Sequence, residues 1–244
     1  MTFGQSDFEI RCEWGEQGIS VLAPISDIVI IVDVLSFSTC VEIATSRGAT
    51  VFPSRGQDET DSRRASSSTA LMGAEFAGLQ RSASRYSLSP QSLTTIPAGT
   101  RLVLPSRNGS LLSLATGSTP TLAGCLRNAR AAALAAQRSR RRIAIIPAGE
   151  RWRPNDSLRP CFEDLVGAGA IINYLVGSLS PEAQVALAAF KEVRSRLPDL
   201  LLGCGSGKEL VERGFTKDVL MAAELNVSDC VPKLIDGGYV NVES

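Results

Sequence analysis

Four polar clusters stand where apolar runs of this chain end. They are Asp33 with Ser36, Ser38 and Thr39; Ser106-Arg107-Asn108-Gly109-Ser110; Ala148-Gly149-Glu150-Arg151; and Glu163-Asp164. A carboxylate at the end of a strand can hold a hard cation. The hydroxyls and amides that open the following helix can receive phosphate oxygens. Asparagine next to glycine allows a turn whose backbone approaches a ligand closely. Each cluster alone also reads as ordinary structure: Ser36 or Ser38 as a helix cap, Asn108-Gly109 as a turn, Glu163-Asp164 as acid complementing a helix dipole. Together they describe an oxygen-rich site for a metal ion and an anion, without naming a substrate.

The sequence contains no histidine. That excludes a Ser-His-Asp or Cys-His nucleophile pair, a histidine phosphoryl carrier and a histidine-ligated metal. Proton transfer near neutral pH would fall to carboxylates with shifted pKa values or to water on a metal, and an oxygen-rich site favours Mg²⁺ or Mn²⁺ over zinc. The six cysteines are scattered without a Cys-x-x-Cys pair, so neither a zinc site nor a disulfide framework is signalled. Lysine plus arginine balances aspartate plus glutamate at 25 each, which gives no electrostatic reason to expect nucleic acid or an anionic membrane. The run Arg138-Ser139-Arg140-Arg141-Arg142 reads as a solvated helix end. Residues 1–13 lack an apolar signal core, and no apolar stretch approaches the roughly 20 residues of a membrane span. The expectation is a soluble, cytoplasmic protein.

The elements that must position these clusters form an α/β pattern. Ile28–Val32 is a continuous β-branched run, read as a central strand covered on both faces. Asp33 ends it, hydroxyls cap a helix running to about Arg47, Gly48 stops that helix, and Ala49–Pro53 is the next strand. This is a βαβ unit and predicts a partly parallel sheet. Further strands are expected at Arg101–Leu104, Thr119–Ala123 and Ile143–Ile146, with helices at Leu111–Ala115, Asn128–Arg138, Phe162–Val176, Pro181–Arg196, Lys208–Arg213 and Thr216–Leu225. Asp58–Ala70 is helix-compatible, Gln80–Ser92 reads as an irregular excursion, and Gly149–Arg159 as a polar loop. Lys233–Val242, with Asp236-Gly237-Gly238 in its middle, predicts a terminal hairpin. The fold class is α/β, a three-layer α/β/α arrangement with a mostly parallel or mixed sheet. Its 244 residues read as one domain or two closely packed lobes.

The strings VDVLSFST, LPSRNGS, AGCLRNA, PAGERW and CFEDLVGAGAI, in that order and followed by GSGKELVERGFTKDV, resemble the 2-phosphosulfolactate phosphatase family. The resemblance runs from about Ile28 to the Pro232 region. It implies a Mg²⁺-dependent phosphatase of coenzyme M biosynthesis that releases phosphate from 2-phosphosulfolactate. The family's Asp-Val-Leu element falls on Asp33-Val34-Leu35, its Ser-Thr pair on Ser38-Thr39 and its Thr-Thr-Asn-Gly-Thr element on Ser106 to Ser110. The asparagine of its next junction falls on Asn128, its Glu-Asp pair on Glu163-Asp164, and the glutamate of its Gly-Glu-Arg-Gly-Gly loop on Glu75. This chain departs from the family at Ser36, where an arginine is usual, at Phe76-Ala77-Gly78 in place of Arg-Gly-Gly, and at Ser89-Pro90, the remnant of a Gly-Asn-Ser-Pro loop. Arg107, Arg127 and Arg151 are candidates to replace the missing charge.

The resemblance therefore implies a Mg²⁺-dependent phosphomonoesterase. Asp33, Glu163 and Asp164 would hold the metal. Ser38, Thr39, Asn108 and Asn128 would act at the phosphoryl group. Ser36, Glu75, Ser106, Arg107, Gly109, Ser110, Arg127, Glu150 and Arg151 would bind the substrate. The expected partner is a small anionic phosphoester, with no nucleic acid and no membrane, and a homo-oligomer is compatible with the sequence. Two nucleophiles stay open, a metal-polarised water and a carboxylate. Water is preferred, because the second Asp that aspartyl-phosphate enzymes use two residues on is Leu35 here. The altered elements also leave open a non-catalytic homologue that binds a small anionic metabolite.

Overall fold

The fold is taken from a computed structural model that describes residues 2–55, 74–78, 85–138 and 142–242. The helix-compatible segment Asp58–Ala70, the start of the Gln80–Ser92 excursion and the centre of the arginine run lie outside the described residues. In chain order the elements are β1 (Ile10–Cys12), α1 (Gly15–Leu22), β2 (Ile28–Val32), α2 (Phe37–Ser46), β3 (Thr50–Ser54), β4 (Glu75–Phe76), α3 (Pro90–Leu93), β5 (Arg101–Pro105), α4 (Gly109–Ala115), β6 (Thr121–Gly124) and α5 (Ala129–Gln137). There follow β7 (Ile143–Pro147), β8 (Glu150–Arg151), β9 (Leu158–Arg159), α6 (Phe162–Ile172), α7 (Pro181–Val193), α8 (Leu197–Gly203), α9 (Gly205–Glu212), α10 (Thr216–Ala222), β10 (Pro232–Ile235) and β11 (Gly238–Asn241).

The protein is α/β, with helices on both sides of one mixed sheet in the order β1-β7-β2-β6-β10-β11-β3-β5-β4. Every residue of β2 and of β7 is buried. Their side chains alternate between two cores, as the two-residue period of a strand requires. Ile28, Ile30 and Val32 pack with Ile143 and Ile145 against α5, α6 and α7, whereas Val29, Ile31, Ala144 and Ile146 pack with Ile19, Leu22 and Leu112. A third core joins Phe37 and Val41 of α2 to Val51, Leu102, Leu104 and Tyr239. Helix α6 lies tight against α7: a Cβ on Gly169 would fall 2.0 Å from the Ala186 carbonyl oxygen.

The terminal hairpin forms as expected, with Asp236 and Gly237 both at positive φ (50° and 79°), the turn type that matches strand twist. Its place is not the periphery. It is the middle of the sheet, where Lys233 pairs with Leu122 and Tyr239 with Val51, both antiparallel. The sheet is thus two parallel blocks, β1-β7-β2-β6 and β3-β5-β4, running in opposite senses across an antiparallel bridge. Five strand-to-strand steps separate β2 from β5. The loop leaving β5 nonetheless meets the loop leaving β2, where the Gly109 amide donates to Asp33 Oδ2 at 2.9 Å.

The remaining differences lie at element ends and in short elements. The Gly149–Arg159 loop contains the two-residue strands β8 and β9, paired antiparallel through Glu150 with Arg159 and Arg151 with Leu158. Helices α1 and α8 and strand β1 are elements the sequence reading did not place, although α1 buries Gly15, Gly18, Ile19 and Leu22 at helical spacing. Among the described residues no helix is long and apolar enough to cross a membrane.

Candidate active site

Asp33 follows the last residue of β2 and is buried, with 6% of its surface exposed. Its Oδ1 accepts the Phe37 amide at 3.1 Å and its Oδ2 the Gly109 amide at 2.9 Å. Phe37 opens α2 and Gly109 opens α4, so one carboxylate caps two helices and sits at both positive dipole ends. Ser36, in the N-cap position of α2, makes no side-chain cap bond. The hydroxyls expected to cap that helix are engaged elsewhere: Ser38 Oγ accepts the Asp33 amide at 3.0 Å and donates to the Ile31 carbonyl, and Thr39 Oγ1 donates to the Val34 carbonyl at 2.8 Å. Position 109 admits only glycine, because a Cβ there would lie 2.3 Å from Phe37 Cδ1 and 2.8 Å from Asp33 Oδ2.

Asp164, in the first turn of α6, performs a parallel task one layer deeper. Its Oδ1 accepts the Val34 amide and its Oδ2 the Gly149 amide, each at 2.8 Å. It thereby ties the loop after β2 to the loop after β7. The neighbouring Glu163 is buried and receives the Cys204 thiol at 3.5 Å. Glu150, at the start of β8, accepts Asn108 Nδ2 at 3.0 Å. Asn108 occupies the N-cap position of α4 without a side-chain cap bond, and its side-chain amide serves Glu150 instead.

These carboxylates perturb one another. Burial raises the Asp33 pKa, the Phe37 and Gly109 amides oppose that rise, and the Glu163 charge adds to it. Asp164 is raised well above the usual range by burial and by the charges of Asp33 and Glu163. Glu150 is raised to about 7 by burial and by Asp33, against the Asn108 hydrogen bond, with Glu163 pushing up and Arg159 pulling down.

Above Asp33 opens a cleft of about 680 Å³. Of the residues singled out in the sequence, Asp33, Ser36, Ser106, Arg107, Asn108, Glu150 and Arg151 line it. Gly109 contributes its amide beneath, and Ser110 donates its hydroxyl to the Leu104 carbonyl at 2.9 Å. Ser38, Thr39, Glu163 and Asp164 are buried and do not line it, and three further residues lie elsewhere. Asn128 is fully buried and bonds the Cys125 amide and the Ala123 and Cys230 carbonyls. Arg127 pairs with Glu42 at 2.6 Å and with Glu224. Glu75 is exposed on the edge strand β4. The sequence reading did not single out Arg153, Asp156, Arg159, Ser206, Glu209 and Arg213, which complete the polar rim. One signal was available: Ser206, Glu209, Leu210 and Arg213 stand at i, i+3, i+4 and i+7, a single face of α9.

The family model for 2-phosphosulpholactate phosphatase matches residues 20–237. The chain belongs to this family. A probable 2-phosphosulfolactate phosphatase of Carboxydothermus hydrogenoformans is 30% identical over 209 residues, covering 84% of this chain and 85% of the relative. Another of Gloeobacter violaceus is 28% identical over 219 residues, 88% of this chain and 91% of the relative. A 2-phosphosulfolactate phosphatase of Methanothermobacter thermautotrophicus is 30% identical over 139 residues, 57% of this chain and 58% of that one. The family match spans every residue that lines the cleft.

Among the described residues no three Asp, Glu or Cys side chains converge as a ready-made metal cage. Mg²⁺ does not require one, since it keeps several waters and takes one or two carboxylates plus substrate oxygens. Of the three carboxylates expected to hold the metal, Asp33 alone lines the cleft. Asp33 and Glu163 repel each other, and among the described residues neither makes an ion pair with a lysine or arginine.

Proposed function

We propose that this protein is a Mg²⁺-dependent phosphomonoesterase acting on a small phosphorylated acid with a second strongly anionic group, of the 2-phosphosulfolactate kind. The observation that carries this reading is the placement of Asp33: a carboxylate capping two helices at the floor of an arginine-rimmed cleft, in a chain of this phosphatase family. Arg107, Arg151, Arg153, Arg159 and Arg213 supply the cationic rim, and guanidinium groups match phosphate and sulfonate geometry. Ser36, Ser106 and Asn108 line the same cleft and would orient the ester. Asp33 and Glu163 would hold Mg²⁺, with Asp164 fixing the loops around them. When bound, the ion would neutralise phosphoryl charge and acidify a water. The two helix N-termini that Asp33 caps would stabilise charge that develops there.

The test is phosphate release from a panel of small phosphoesters, 2-phosphosulfolactate among them, with Mg²⁺ and with EDTA. The expected result is hydrolysis of dianionic substrates that stops on chelation. Activity indifferent to EDTA removes the metal from the mechanism. Ser36, where the family usually has arginine, motivates one competing reading, a binding protein without turnover. A thermal shift with a phosphorylated or sulfonated acid and no phosphate release would establish it.

A further inference from the structure

The arginines that line the cleft are not equally engaged. Arg107 is paired with Asp156, Arg151 with Glu16 and Arg213 with Glu209, while Arg153 is exposed in the loop joining β8 to β9. Arg159, half-buried on β9, forms no ion pair among the described residues. It is nonetheless held in place. Its Nη2 donates to Ser206 Oγ at 3.1 Å, its guanidinium carbon stands 5.6 Å from the centroid of the Trp152 ring, and a Cβ on Gly205 would lie 3.6 Å from its Nη1. These partners are all neutral. A guanidinium fixed by a hydroxyl and an indole face keeps its charge and its remaining N–H groups for a ligand. Ser206 is 6% exposed and lines the same cleft. Because its oxygen accepts from Arg159, its own proton is the donor it has left for a ligand.

Arg159 also stands apart from the floor. The Gly109 amide reaches Asp33, the Asn108 side chain reaches Glu150, and Glu150 is the ladder partner of Arg159. Along these contacts Asn108 and Glu150 separate Arg159 from the carboxylate that caps α2 and α4. Resting on the phosphatase reading above, we propose that Arg159, with Ser206, binds the oxyanion of the substrate that does not react and selects for esters that carry one. The phosphoryl group stays at the floor, and the carbon chain of the ester runs from there to the wall formed by β9 and α9. An ester without a second anion leaves the guanidinium unpaired in a closed site, so the same residue rejects the wrong ester as well as holding the right one.

The experiment compares three secondary phosphate esters with wild type, Arg159→Gln and Arg159→Lys. Isopropyl phosphate carries no second anion, 2-phospholactate adds a carboxylate, and 2-phosphosulfolactate adds a carboxylate and a sulfonate. Arg159→Gln is expected to lose ~10–100-fold in kcat/KM on the anionic esters, mostly as a rise in KM, and about threefold or less on isopropyl phosphate. Arg159→Lys keeps the charge without the planar fork, so it should lose less on the same esters, and it covers the case that the glutamine variant does not fold. A loss that begins with 2-phospholactate assigns the bound oxyanion as the carboxylate, and one confined to 2-phosphosulfolactate assigns it as the sulfonate. An equal loss on all three esters, or no loss on any, overturns the proposal. A wild type that hydrolyses none of them overturns the phosphatase reading separately. Calorimetric titration with sulfolactate, which needs no turnover, then decides on Arg159: affinity lowered ~10-fold or more in the variants upholds its role, and unchanged affinity, or no binding by wild type, removes it.

Discussion

The floor and the rim of the cleft are built by opposite means. At the floor, Asp33 and Asp164 are buried, and each carboxylate is held by two backbone amides from different elements. At the rim, Arg107 and Asp156 form an ion pair at 3.1 Å with side chains 77% and 59% exposed, and Arg213 meets Glu209 at 3.4 Å in similar exposure. Exposed pairs of this kind contribute ~0–1 kcal/mol. A ligand can therefore take over a rim arginine at little cost, while nothing at the floor can be exchanged without releasing a loop. The floor fixes where chemistry happens, and the rim is free to follow the shape of the anion.

The strongest way to break this division is Asp33→Ala. It strands the Phe37 and Gly109 amides and removes the carboxylate that joins α2 to α4, so phosphate release should fall by ~10²–10³-fold or more. Circular dichroism must show a folded variant for the result to count. A folded variant with wild-type kcat would place the chemistry elsewhere. Asp164→Ala comes next. It leaves the Val34 and Gly149 amides without their acceptor, at ~1–3 kcal/mol each. Urea unfolding should show a lower midpoint at unchanged m-value, with kcat reduced because both loops lose their tie. An unchanged midpoint would mean that Asp164 is not what holds those loops.

Much of the floor is legible in the sequence and little of the rim is. The run Ile28–Val32 and the polar residue that ends it announce a buried strand with a functional edge, because five β-branched residues can be buried on both faces only inside a sheet. Residue type does not say where a hydroxyl points. Ser38, Thr39 and Ser110 have the chemistry of a phosphate cradle, yet each donates to a backbone carbonyl and shapes its loop. Asn128 likewise braces a junction between β6 and the segment before β10. The hairpin turn at Asp236-Gly237 is visible locally, but its insertion between β6 and β3 depends on pairings as remote as Lys233 with Leu122. The rim residues of the β8–β9 hairpin stand on two-residue strands, too short to show a period. On α9 the spacing from Ser206 to Arg213 marks a face, and only the tertiary structure shows that it borders the cleft.

Glu150 lies between the two regions, and its pH dependence sharpens the contrast. Its pKa in the folded protein, about 7, stands above the ordinary 4.5, so the folded state binds its proton more tightly than the unfolded chain does. Its contribution to stability is therefore complete at low pH and is lost as pH rises from about 4.5 to 7. Glu150→Gln keeps the acceptor for Asn108 and removes the half-buried charge. At pH 8 the variant should be more stable than wild type by ~1–3 kcal/mol, and at pH 4 the difference should vanish. Thermal melts at the two pH values check this. Equal stabilisation at both would mean that the effect is packing and not charge.

The smallest expected effect falls on Arg107. Its partner Asp156 is as free as it is, and its neighbours on the rim carry the same charge, so Arg107→Ala removes one of several cations facing the anion. The KM for a dianionic substrate should rise about three- to tenfold at low salt, at unchanged kcat, and the difference should shrink toward 0.5 M salt as screening removes the long-range share. Steady-state kinetics at two salt concentrations decide it. If kcat falls in step with Asp33→Ala instead, Arg107 is acting on the transition state, and the border between a fixed floor and an adjustable rim has to be drawn through the Ser106–Gly109 turn and not above it.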